Sequence, residues 1–476
     1  MRIKTFVKSL FGTKAFYAGV FTLIFPIIIQ QGITSFVNLL DNIMVGQLGT
    51  EQMSSVAIVN QIIFVFNLAI FGGLAGASIF GAQFFGKGDN KGVRDTFRFK
   101  IWLSIILSVI GVLVMVFFGE TMIQAFLNES EGDSGDIAAT FQFAKDYLYI
   151  AIWGIVPFAF VQCFASTLKD TGETVSPMIA SVLAILANLV LNYLLIFGAF
   201  GFPEMGVAGA ALATVIARFI ELAYLVIHTF VKRQKFVFIQ GAFRSLKVPM
   251  PLTKKILRIG TPLLLNEVFW ALGTTMINQS YSLRGLSAVA ATNINGTVWN
   301  VFSIIMMAMG NAIGIIVGQQ LGANDIPGAK DTAKKLLCFN TLLNLGVGLI
   351  ILATSPAIPY IYNTTDTVRA MATQLLIISG IYLPIDAYIH GTYFTIRSGG
   401  KTVITFLFDC VFTWAISLPI AFCLANFTEL PLVWIVFFVQ FANLIKVVIG
   451  TLMIKSGIWA NNVVNDIDEK SKALET

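Results

Sequence analysis

The sequence predicts an all-α integral membrane protein with twelve transmembrane helices in two six-helix bundles. Three observations lead to this fold class. First, 57% of the 476 residues are hydrophobic and only 12% are charged, whereas soluble domains are about 25% charged. Second, apolar windows of about 20 residues, long enough to cross a bilayer, recur along the chain. Third, the two halves of the chain resemble each other.

The apolar windows divide into two sets of six. The first set lies at residues 15–42, 53–82, 101–119, 140–165, 175–197 and 207–231. The second lies at residues 256–283, 287–318, 336–360, 371–396, 402–424 and 432–454. The prolines Pro26, Pro157, Pro262 and Pro384 fall inside windows and predict bent or tilted helices. The first window is too long for the apolar core of a signal peptide and lacks a small-residue cleavage site, so we expect it to remain as the first helix.

Charged residues follow an alternating pattern in the connections. Basic residues are concentrated in every second connection between windows. They include Lys87, Lys91, Arg94, Arg98 and Lys100 before the third window and eight more across residues 232–258. The other connections hold little basic charge beyond Arg284 and Arg369 and are acidic, with Glu129, Glu131 and Asp133 in one of them. The positive-inside rule then places both termini in the cytoplasm of a prokaryotic inner membrane.

An internal repeat relates the halves. Matching residues include Pro26 and Pro262, Gln83 and Gln319, Gly86 and Gly322, and the loops Lys169-x-x-Gly172-x-Thr174 and Arg397-x-x-Gly400-x-Thr402. Because six spans bring the chain back to its starting side, both halves enter from one face, and a pseudo-two-fold axis along the membrane normal relates them. We predict bundles at residues 1–231 and 256–456, a cytoplasmic linker at 232–255 and a cytoplasmic tail at 457–476.

Several function classes lack the residues that they need. The four cysteines form no CxxC pair, and two histidines cannot build a metal cluster. The spans contain no HExxH or Ser/Lys constellation, which argues against a membrane enzyme, and no filter-like segment, which argues against a channel. The basic residues are spread over short loops, so we expect no nucleic acid partner. We expect a monomer without a cofactor whose partners are membrane lipid and a small-molecule cargo.

Five segments carry a family resemblance. The first window ends in Asp41-Asn42-Ile43-Met44-Val45-Gly46, and the segments 81–86 and 318–322 read GAQFFG and GQQLG. With the two Lys/Arg-x-x-Gly-x-Thr loops, their order and spacing resemble those of the multidrug and toxin extrusion (MATE) family of the MOP flippase superfamily over almost the whole chain. The resemblance implies an antiporter that exports organic, cationic lipophilic compounds in exchange for Na⁺ or H⁺.

The acidic positions resemble the NorM-like branch more than the DinF-like branch. The DinF-like branch carries an Asn and an Asp on helix five, where this chain has Asn188 and Asn192. The NorM-like branch carries acidic residues on helices seven and ten, which match Glu267 and Asp386 here. Glu267 lies one helical turn closer to Pro262 than the resemblance to that branch leads us to expect. The resemblance also assigns Asp41 to substrate or proton exchange in the first half.

Ionised residues inside a membrane are costly and survive where they pair, line water or function. Asp386 lies about 16 Å along a helix from Arg397, and with Glu267 it is predicted to bind Na⁺ or to share a proton. Asn266, Asn278 and Tyr382 would add neutral ligands. Secondary candidates are Asn188, Asn192, Asp409 and three aromatic residues, Trp270, Trp299 and Tyr388, whose rings would hold a lipophilic cation.

Other embedded charges have structural interpretations. Arg218 and Glu221, three residues apart on one helix, are expected to pair with each other. Lys446 either snorkels inward or pairs with Asp409 across helices eleven and twelve. A lipid-linked oligosaccharide flippase of the same superfamily stays as an alternative function. Such a flippase needs a basic cavity for pyrophosphate, whereas the embedded charges here are mainly acidic.

Overall fold

The computed structural model describes residues 10–127, 136–362 and 364–465, with every side chain in these ranges except those of residues 38, 39 and 42. The predicted acidic connection around residues 129–133 and the last part of the predicted tail lie outside the described residues. Every regular element within the described ranges is helical, which confirms the predicted all-α class.

Sixteen α-helices are numbered here in chain order among the described residues. They are α1 Lys14–Gly46, α2 Thr50–Lys87, α3 Asn90–Phe126, α4 Ile137–Ala151, α5 Ile155–Asp170, α6 Val175–Phe197, α7 Gly206–Val231, α8 Met250–Ser282, α9 Leu286–Phe302, α10 Ile304–Gly322, α11 Ile326–Thr354, α12 Asp366–Ser398, α13 Thr402–Phe406, α14 Leu418–Phe427, α15 Leu432–Ala442 and α16 Leu444–Ser456. Two π-helical segments, Leu407–Val411 and Thr413–Ser417, join α13 to α14.

Eleven stretches of these helices are long and apolar enough to cross a membrane. They correspond to eleven of the twelve predicted windows. The remaining window, residues 256–283, corresponds to α8, which is not among the eleven. This helix is 33 residues long and contains Pro262, as α1 contains Pro26. Its polar residues, Asn266 and Glu267 among them, lower its apolar content. Asn266 and Glu267 are also two of the candidate cation-binding residues predicted from the sequence.

The chain forms two compact units. Unit 1 contains residues 1–28, 82–89 and 254–476, and unit 2 contains residues 29–81 and 90–253. The first part of α1 and the junction between α2 and α3 therefore belong with the second half of the chain. These compact units follow the packing of the chain and do not coincide with the two six-helix bundles predicted from the sequence. The bundle boundaries therefore stay a prediction.

The repeat-related segments after the second helix of each half meet inside unit 1. A Cβ atom on Gly86 would lie 1.8 Å from the carbonyl oxygen of Gln319, and one on Gly322 would lie 1.9 Å from that of Gln83. Because Gln83 and Gln319 are themselves repeat equivalents, each glycine admits the backbone of the glutamine from the other segment. The glycines of the two motifs therefore permit a backbone approach that any larger residue would block.

Most of the predicted linker, residues 232–253, belongs to unit 2 and packs against α3. Three α3 side chains at four-residue spacing donate to its carbonyl groups, and four-residue spacing places them on one helix face. Arg94 Nε donates to Phe238 O at 3.4 Å, Arg98 donates to Gly241 O at 2.8 Å and to Ala242 O at 2.9 Å, and Trp102 Nε1 donates to Leu246 O at 2.9 Å. Buried side chains at residues 236, 238, 239 and 242 complete the contact.

Glu173, in the connection between α5 and α6, anchors the start of this linker. Its carboxylate accepts from Lys235 Nζ and from the Ser176 backbone amide at 3.1 Å and hydroxyl at 3.0 Å. Burial acts to raise the pKa of Glu173, but the donors outweigh burial and the pKa is lowered. The ionised carboxylate is therefore part of the folded connection.

The segment after α16 is packed in the same way inside unit 1. Trp459 is buried, and Lys255 Nζ donates to Val463 O at 2.7 Å. Gln83 Nε2 donates to Ser398 O at 2.9 Å and to Asn461 O at 3.1 Å, and its Oε1 accepts from Val463 N at 2.7 Å. The described part of the predicted tail, residues 457–465, thus supplies two of these three hydrogen bonds to Gln83, and Ser398 at the end of α12 supplies the third.

A buried ion pair lies inside unit 2. Lys100 is predicted to lie in a basic connection, but the structure places it within α3, where its side chain is fully buried. Its ammonium donates to Asp170 Oδ2 at 2.7 Å, Ser78 Oγ at 2.9 Å and Ser166 Oγ at 3.0 Å. A Cβ on Gly81 would lie 2.4 Å from Asp170 Oδ2, so the glycine of the GAQFFG motif makes room for this carboxylate.

Candidate functional site

Unit 2 contains a cavity of about 480 Å³ with Asp41 in its wall. Asn192, on α6, donates from Nδ2 to Asp41 Oδ1 at 2.7 Å. Hydrogen bonding favours the orientation of Asn188 in which its amide nitrogen lies 3.1 Å from both Asp41 oxygens and its oxygen accepts from Thr214 at 3.3 Å. Asn188 and Asn192, one turn apart, therefore both face Asp41. The structure thus brings Asp41, Asn188 and Asn192 together, although this chain has Asn192 where the resemblance to the DinF-like branch would imply a second carboxylate.

The same cavity contains polar residues that the sequence analysis missed. Asn60 and Asn67 on α2 line it, and Tyr147 OH donates to Asn60 Oδ1 at 3.3 Å. Two asparagines seven residues apart lie on one face of a helix, and this spacing within an apolar window was a usable signal. The cavity therefore presents one carboxylate and several neutral oxygen and amide groups.

Arg218 also lines the unit 2 cavity, and its charge is paired. Its guanidinium lies 2.8 Å from Glu221 Oε2 and 5.2 Å from the centre of the Phe158 ring. Glu221 Oε1 accepts from Ser181 Oγ at 2.7 Å, and Ser181 Oγ accepts from Gln30 Nε2 at the same distance. The pairing expected from the sequence is present, and Asp41 has no such basic partner within the described residues.

Unit 1 contains a larger cavity, of about 680 Å³, with Asp386 in its wall. Asn278 and Trp299, both predicted, line it as well. Its polar lining also includes Asn293, Asn295 and Asn300 of α9, which the sequence analysis passed over although three asparagines within eight residues are unusual in an apolar helix. The remaining lining residues come from α8, α9, α12 and α15.

The other predicted residues of the second half divide between this cavity and its surroundings. Tyr382, one turn before Asp386 on α12, is buried in the apolar core beside the cavity. Trp270 is half-exposed, and Tyr388 OH shares a hydrogen bond of 2.9 Å with Thr451 Oγ1. Neither Trp270 nor Tyr388 lines the cavity. Trp299 is thus the predicted aromatic residue that lines the same cavity as Asp386.

Glu267 lies in a second group of charges rather than in the cavity wall. It interacts electrostatically with Arg397 and Asp409, whereas Asp386 interacts with Lys446. Asn266, which precedes Glu267 in the chain, donates from Nδ2 to Asp409 Oδ2 at 3.2 Å and to Tyr393 OH at 3.4 Å. The predicted joint site of Glu267 and Asp386 stays a prediction, since Asp386 lines the cavity and Glu267 is not among its lining residues.

Asp409 and Lys446 form an ion pair with a distance of 3.1 Å between Asp409 Oδ1 and Lys446 Nζ. The second of the two interpretations of Lys446 is therefore the observed one. Within the described residues, no group of three or more His, Cys, Asp and Glu side chains is arranged to hold a metal ion. A monovalent cation here would rely on one or two carboxylates and on neutral oxygens.

A family model described as MatE matches the chain twice, over residues 26–194 and 262–423. The two matches begin at Pro26 and Pro262, the prolines that the repeat pairs with each other. The chain belongs to the MATE family. The twofold match also supports the internal repeat, because one model describes both halves. Membership and the eleven long apolar stretches make the chain a multi-pass membrane protein of a transporter family.

Relatives match over most of their length. A probable multidrug resistance protein NorM of Thermotoga maritima is 27% identical over 433 residues, which cover 89% of each chain. A multidrug resistance protein MdtK of Pectobacterium atrosepticum is 26% identical over 408 residues, which cover 84% of this chain and 86% of the relative. These relatives agree with the predicted likeness to the NorM-like branch.

Solved structures show the same fold. An outward-facing multidrug resistance MATE family transporter of the MOP superfamily superposes with a TM-score of 0.83 at 21% identity, covering 95% of this chain and 98% of that one. A MOP superfamily transporter from Pyrococcus furiosus, described as having a binding pocket of reverse polarity, superposes with a TM-score of 0.82 at 20% identity, covering 94% of this chain and 97% of that one. At such identities the likeness concerns the fold.

Proposed function

We propose that this MATE family member exports organic, cationic lipophilic compounds in exchange for Na⁺ or H⁺ by alternating access. The observation that carries the proposal is that each compact unit has a cavity with a carboxylate in its wall, Asp41 in unit 2 and Asp386 in unit 1. Relatives named multidrug resistance proteins support export of several compounds. Transporter repeats commonly place cargo and coupling ions near their shared interface.

The chemistry of the two cavities suits different tasks. Asp41 faces two amide groups, and the carbonyl oxygen of Asn192 is buried without a partner among the described residues. A carboxylate with a nearby free amide oxygen can hold a proton or a small cation. Asp386 lies in the wall that also contains Trp299, and an aromatic face beside a carboxylate attracts an organic cation.

Coupling requires that the ion and the cargo favour different conformations. A ligand shifts a conformational equilibrium only by its difference in affinity for the two states. We propose that protonation or cation binding at Asp41 and Asp386 competes with binding of the cationic cargo. Each carboxylate would then be neutralised by one ligand or the other, but not by both.

The flippase alternative lacks support from these cavities. Arg218 lines the unit 2 cavity, but Glu221 already neutralises its guanidinium. The unit 1 cavity has Asp386 and several asparagines in its wall and no basic residue among its described lining. Cationic cargo therefore fits better than a pyrophosphate.

We further propose that the chain works as a monomer in a prokaryotic inner membrane with both termini cytoplasmic. The distribution of basic and acidic residues over the connections supports this orientation.

The experiment that tests the proposal compares dye efflux by Asp41→Asn and Asp386→Asn variants in energised membrane vesicles. Each variant should lose ion-driven efflux while it still inserts in the membrane. Asp366→Asn is the matched control, because Asp366 begins the same helix as Asp386 but its side chain is 93% exposed. If the double variant Asp41→Asn/Asp386→Asn pumps dye at the wild-type rate, the proposal is wrong.

A further inference from the structure

The chain contains no acidic residue between Glu221 and Glu267, a stretch that contains eight lysines and arginines. The predicted linker, residues 232–255, lies inside this stretch. A block of basic residues directly after a membrane-spanning helix is typical of segments that contact anionic lipid. Whether this block can do so depends on which of its side chains are exposed and which already have partners.

Four basic side chains of residues 232–249 are exposed and, among the described residues, form no ion pair. These four are Lys232, Arg233, Arg244 and Lys247. Other basic side chains of this region already have partners. Lys235 is paired with Glu173. Arg98 of α3 pairs with Asp95 and donates to two carbonyl groups of the linker. The exposed four therefore carry the unbalanced positive charge of residues 232–249.

The linker lies at the membrane surface at two points. α7 ends at Val231 and is long and apolar enough to cross the membrane, so the linker begins where this span ends. Further along, Leu246 O accepts from Trp102 Nε1 at 2.9 Å. Trp102 lies in the first turn of the apolar window at residues 101–119, and tryptophan is enriched at membrane–water interfaces. Residues 232 and 246 therefore both lie beside the end of a membrane span.

An exposed aromatic ring of the linker lies at the same depth. Phe243 is 50% exposed, and its ring centre lies 5.9 Å from that of Phe230 in the last turn of α7. The ring centre of Phe97 on α3 lies 6.2 Å from it on another side. Phe243 is followed directly by the exposed Arg244. Segments that lie in the headgroup region of a bilayer combine apolar rings, which contact acyl chains, with basic side chains, which contact phosphates.

The backbone that presents these groups is fixed. Arg98 and Trp102 of α3 donate to its carbonyl groups at residues 241, 242 and 246, and the side chain of Phe238 is buried. A segment that is ordered before it binds loses little conformational entropy on binding, in contrast to a disordered basic tail. The linker is therefore a preorganised surface.

We propose that the linker binds the headgroups of anionic phospholipids. The residues that bind, named here the linker patch, are Lys232, Arg233, Phe243, Arg244 and Lys247. An anionic lipid complements the patch in charge and supplies acyl chains for the exposed ring, whereas a soluble phosphate compound or an acidic protein surface supplies the charge alone. The orientation proposed above makes this the cytoplasmic leaflet, whose anionic lipids attract basic segments of this kind. The binding of lipid itself does not depend on export.

The test measures the affinity of the purified full-length protein for single lipid molecules. Native mass spectrometry of the detergent-solubilised protein, titrated with phosphatidylglycerol or with phosphatidylcholine, resolves each bound lipid and gives the dissociation constant of the first one. One basic residue near an anionic surface contributes about 1 kcal/mol, which corresponds to about a fivefold difference in affinity. The wild type should therefore prefer phosphatidylglycerol by about fivefold or more.

The linker variant Arg233→Gln/Arg244→Gln/Lys247→Gln should lose most of this preference while its affinity for phosphatidylcholine stays the same. Its melting temperature should match that of the wild type, because the three side chains are exposed and form no ion pair among the described residues.

A matched control removes the same charge from exposed positions outside the linker. This control is Lys91→Gln/Lys334→Gln/Lys455→Gln, and it should keep the preference of the wild type. A second control adds glycerophosphoglycerol, the soluble headgroup without acyl chains, at the concentration of the lipid. It should not displace phosphatidylglycerol, because it offers nothing to the Phe243 ring.

Three outcomes overturn the inference. One is equal affinity of the wild type for the two lipids. Another is a preference for phosphatidylglycerol that the linker variant keeps, or that the control variant loses to the same extent, which would place the lipid elsewhere or make the effect one of total charge. The third is displacement of the lipid by the soluble headgroup, which would make the patch a site for phosphate compounds. A protein that prefers phosphatidylglycerol but does not export contradicts the proposed function and not this inference.

Discussion

Asp170→Asn is expected to destabilise unit 2 strongly. The substitution leaves the Lys100 ammonium, which is fully buried, with the hydroxyl groups of Ser78 and Ser166 at 2.9 Å and 3.0 Å but without its carboxylate at 2.7 Å. Breaking a buried ion pair by removing one partner typically costs about 3–5 kcal/mol, because the other charge stays desolvated. We expect a loss of this size in the free energy of unfolding.

Denaturant titration of the purified protein in detergent micelles measures that loss. The double variant Lys100→Met/Asp170→Asn should recover part of it, because replacement of both partners of a buried pair is often neutral. Glu120→Gln is the matched control, since it breaks a pair with Lys145 whose side chains are 44% and 33% exposed. If Asp170→Asn lowers the unfolding free energy no more than Glu120→Gln does, the reasoning about the buried pair is refuted.

Two further predictions concern the connections between helices. Gly322→Ala should lower the melting temperature because its Cβ would lie 1.9 Å from Gln83 O, whereas Gly346→Ala, with no neighbour within 4 Å of its Cβ, should not; equal melting temperatures would contradict the close approach. Glu173→Gln should reduce stability at neutral pH, because a lowered carboxyl pKa in the folded state stabilises the fold above the unfolded pKa. That contribution is lost as the pH falls through the folded pKa. The difference in stability between Glu173→Gln and the wild type should therefore shrink at pH values below the ordinary carboxyl pKa of about 4.5. A difference in melting temperature that stays constant from about pH 3 to pH 8 would contradict this role of the ionised carboxylate.

The architecture was predictable because the bilayer restricts the choices. A chain with so many long apolar windows can only satisfy its backbone as helices, and the pairing of Pro26 with Pro262 revealed the repeat from residues alone. The compact units were not predictable in the same way. Nothing in the local sequence indicates that residues 82–89 and the start of α1 belong with the second half.

The candidate sites were predictable where a charge stands inside an apolar window. Asp41, Asp386 and Asp409 were found by that criterion, and the structure gives each of them a specific environment. Lys100 was missed because a lysine near the start of a window looks like a connection residue, and its partner Asp170 lies in another helix. Pairings across helices depend on packing, which residue spacing along one helix does not contain.

Neutral residues of the cavities were harder to find. Asn60 and Asn293 line the two cavities but carry no charge, and asparagines in helices often have purely structural roles. The packing of the predicted linker was also hard to find. It depends on α3 side chains at residues 94, 98 and 102, which share one helix face. Their spacing does not show that the linker lies on that face.

The central claim is that an ion gradient drives export through this protein. Its most direct test is efflux of a cationic dye from proteoliposomes in which a sodium gradient and a pH gradient are imposed separately. At least one gradient should accelerate efflux by the wild type, and Asp41→Asn/Asp386→Asn should remove this acceleration. Efflux at the same rate with either gradient and with none would contradict ion-driven export.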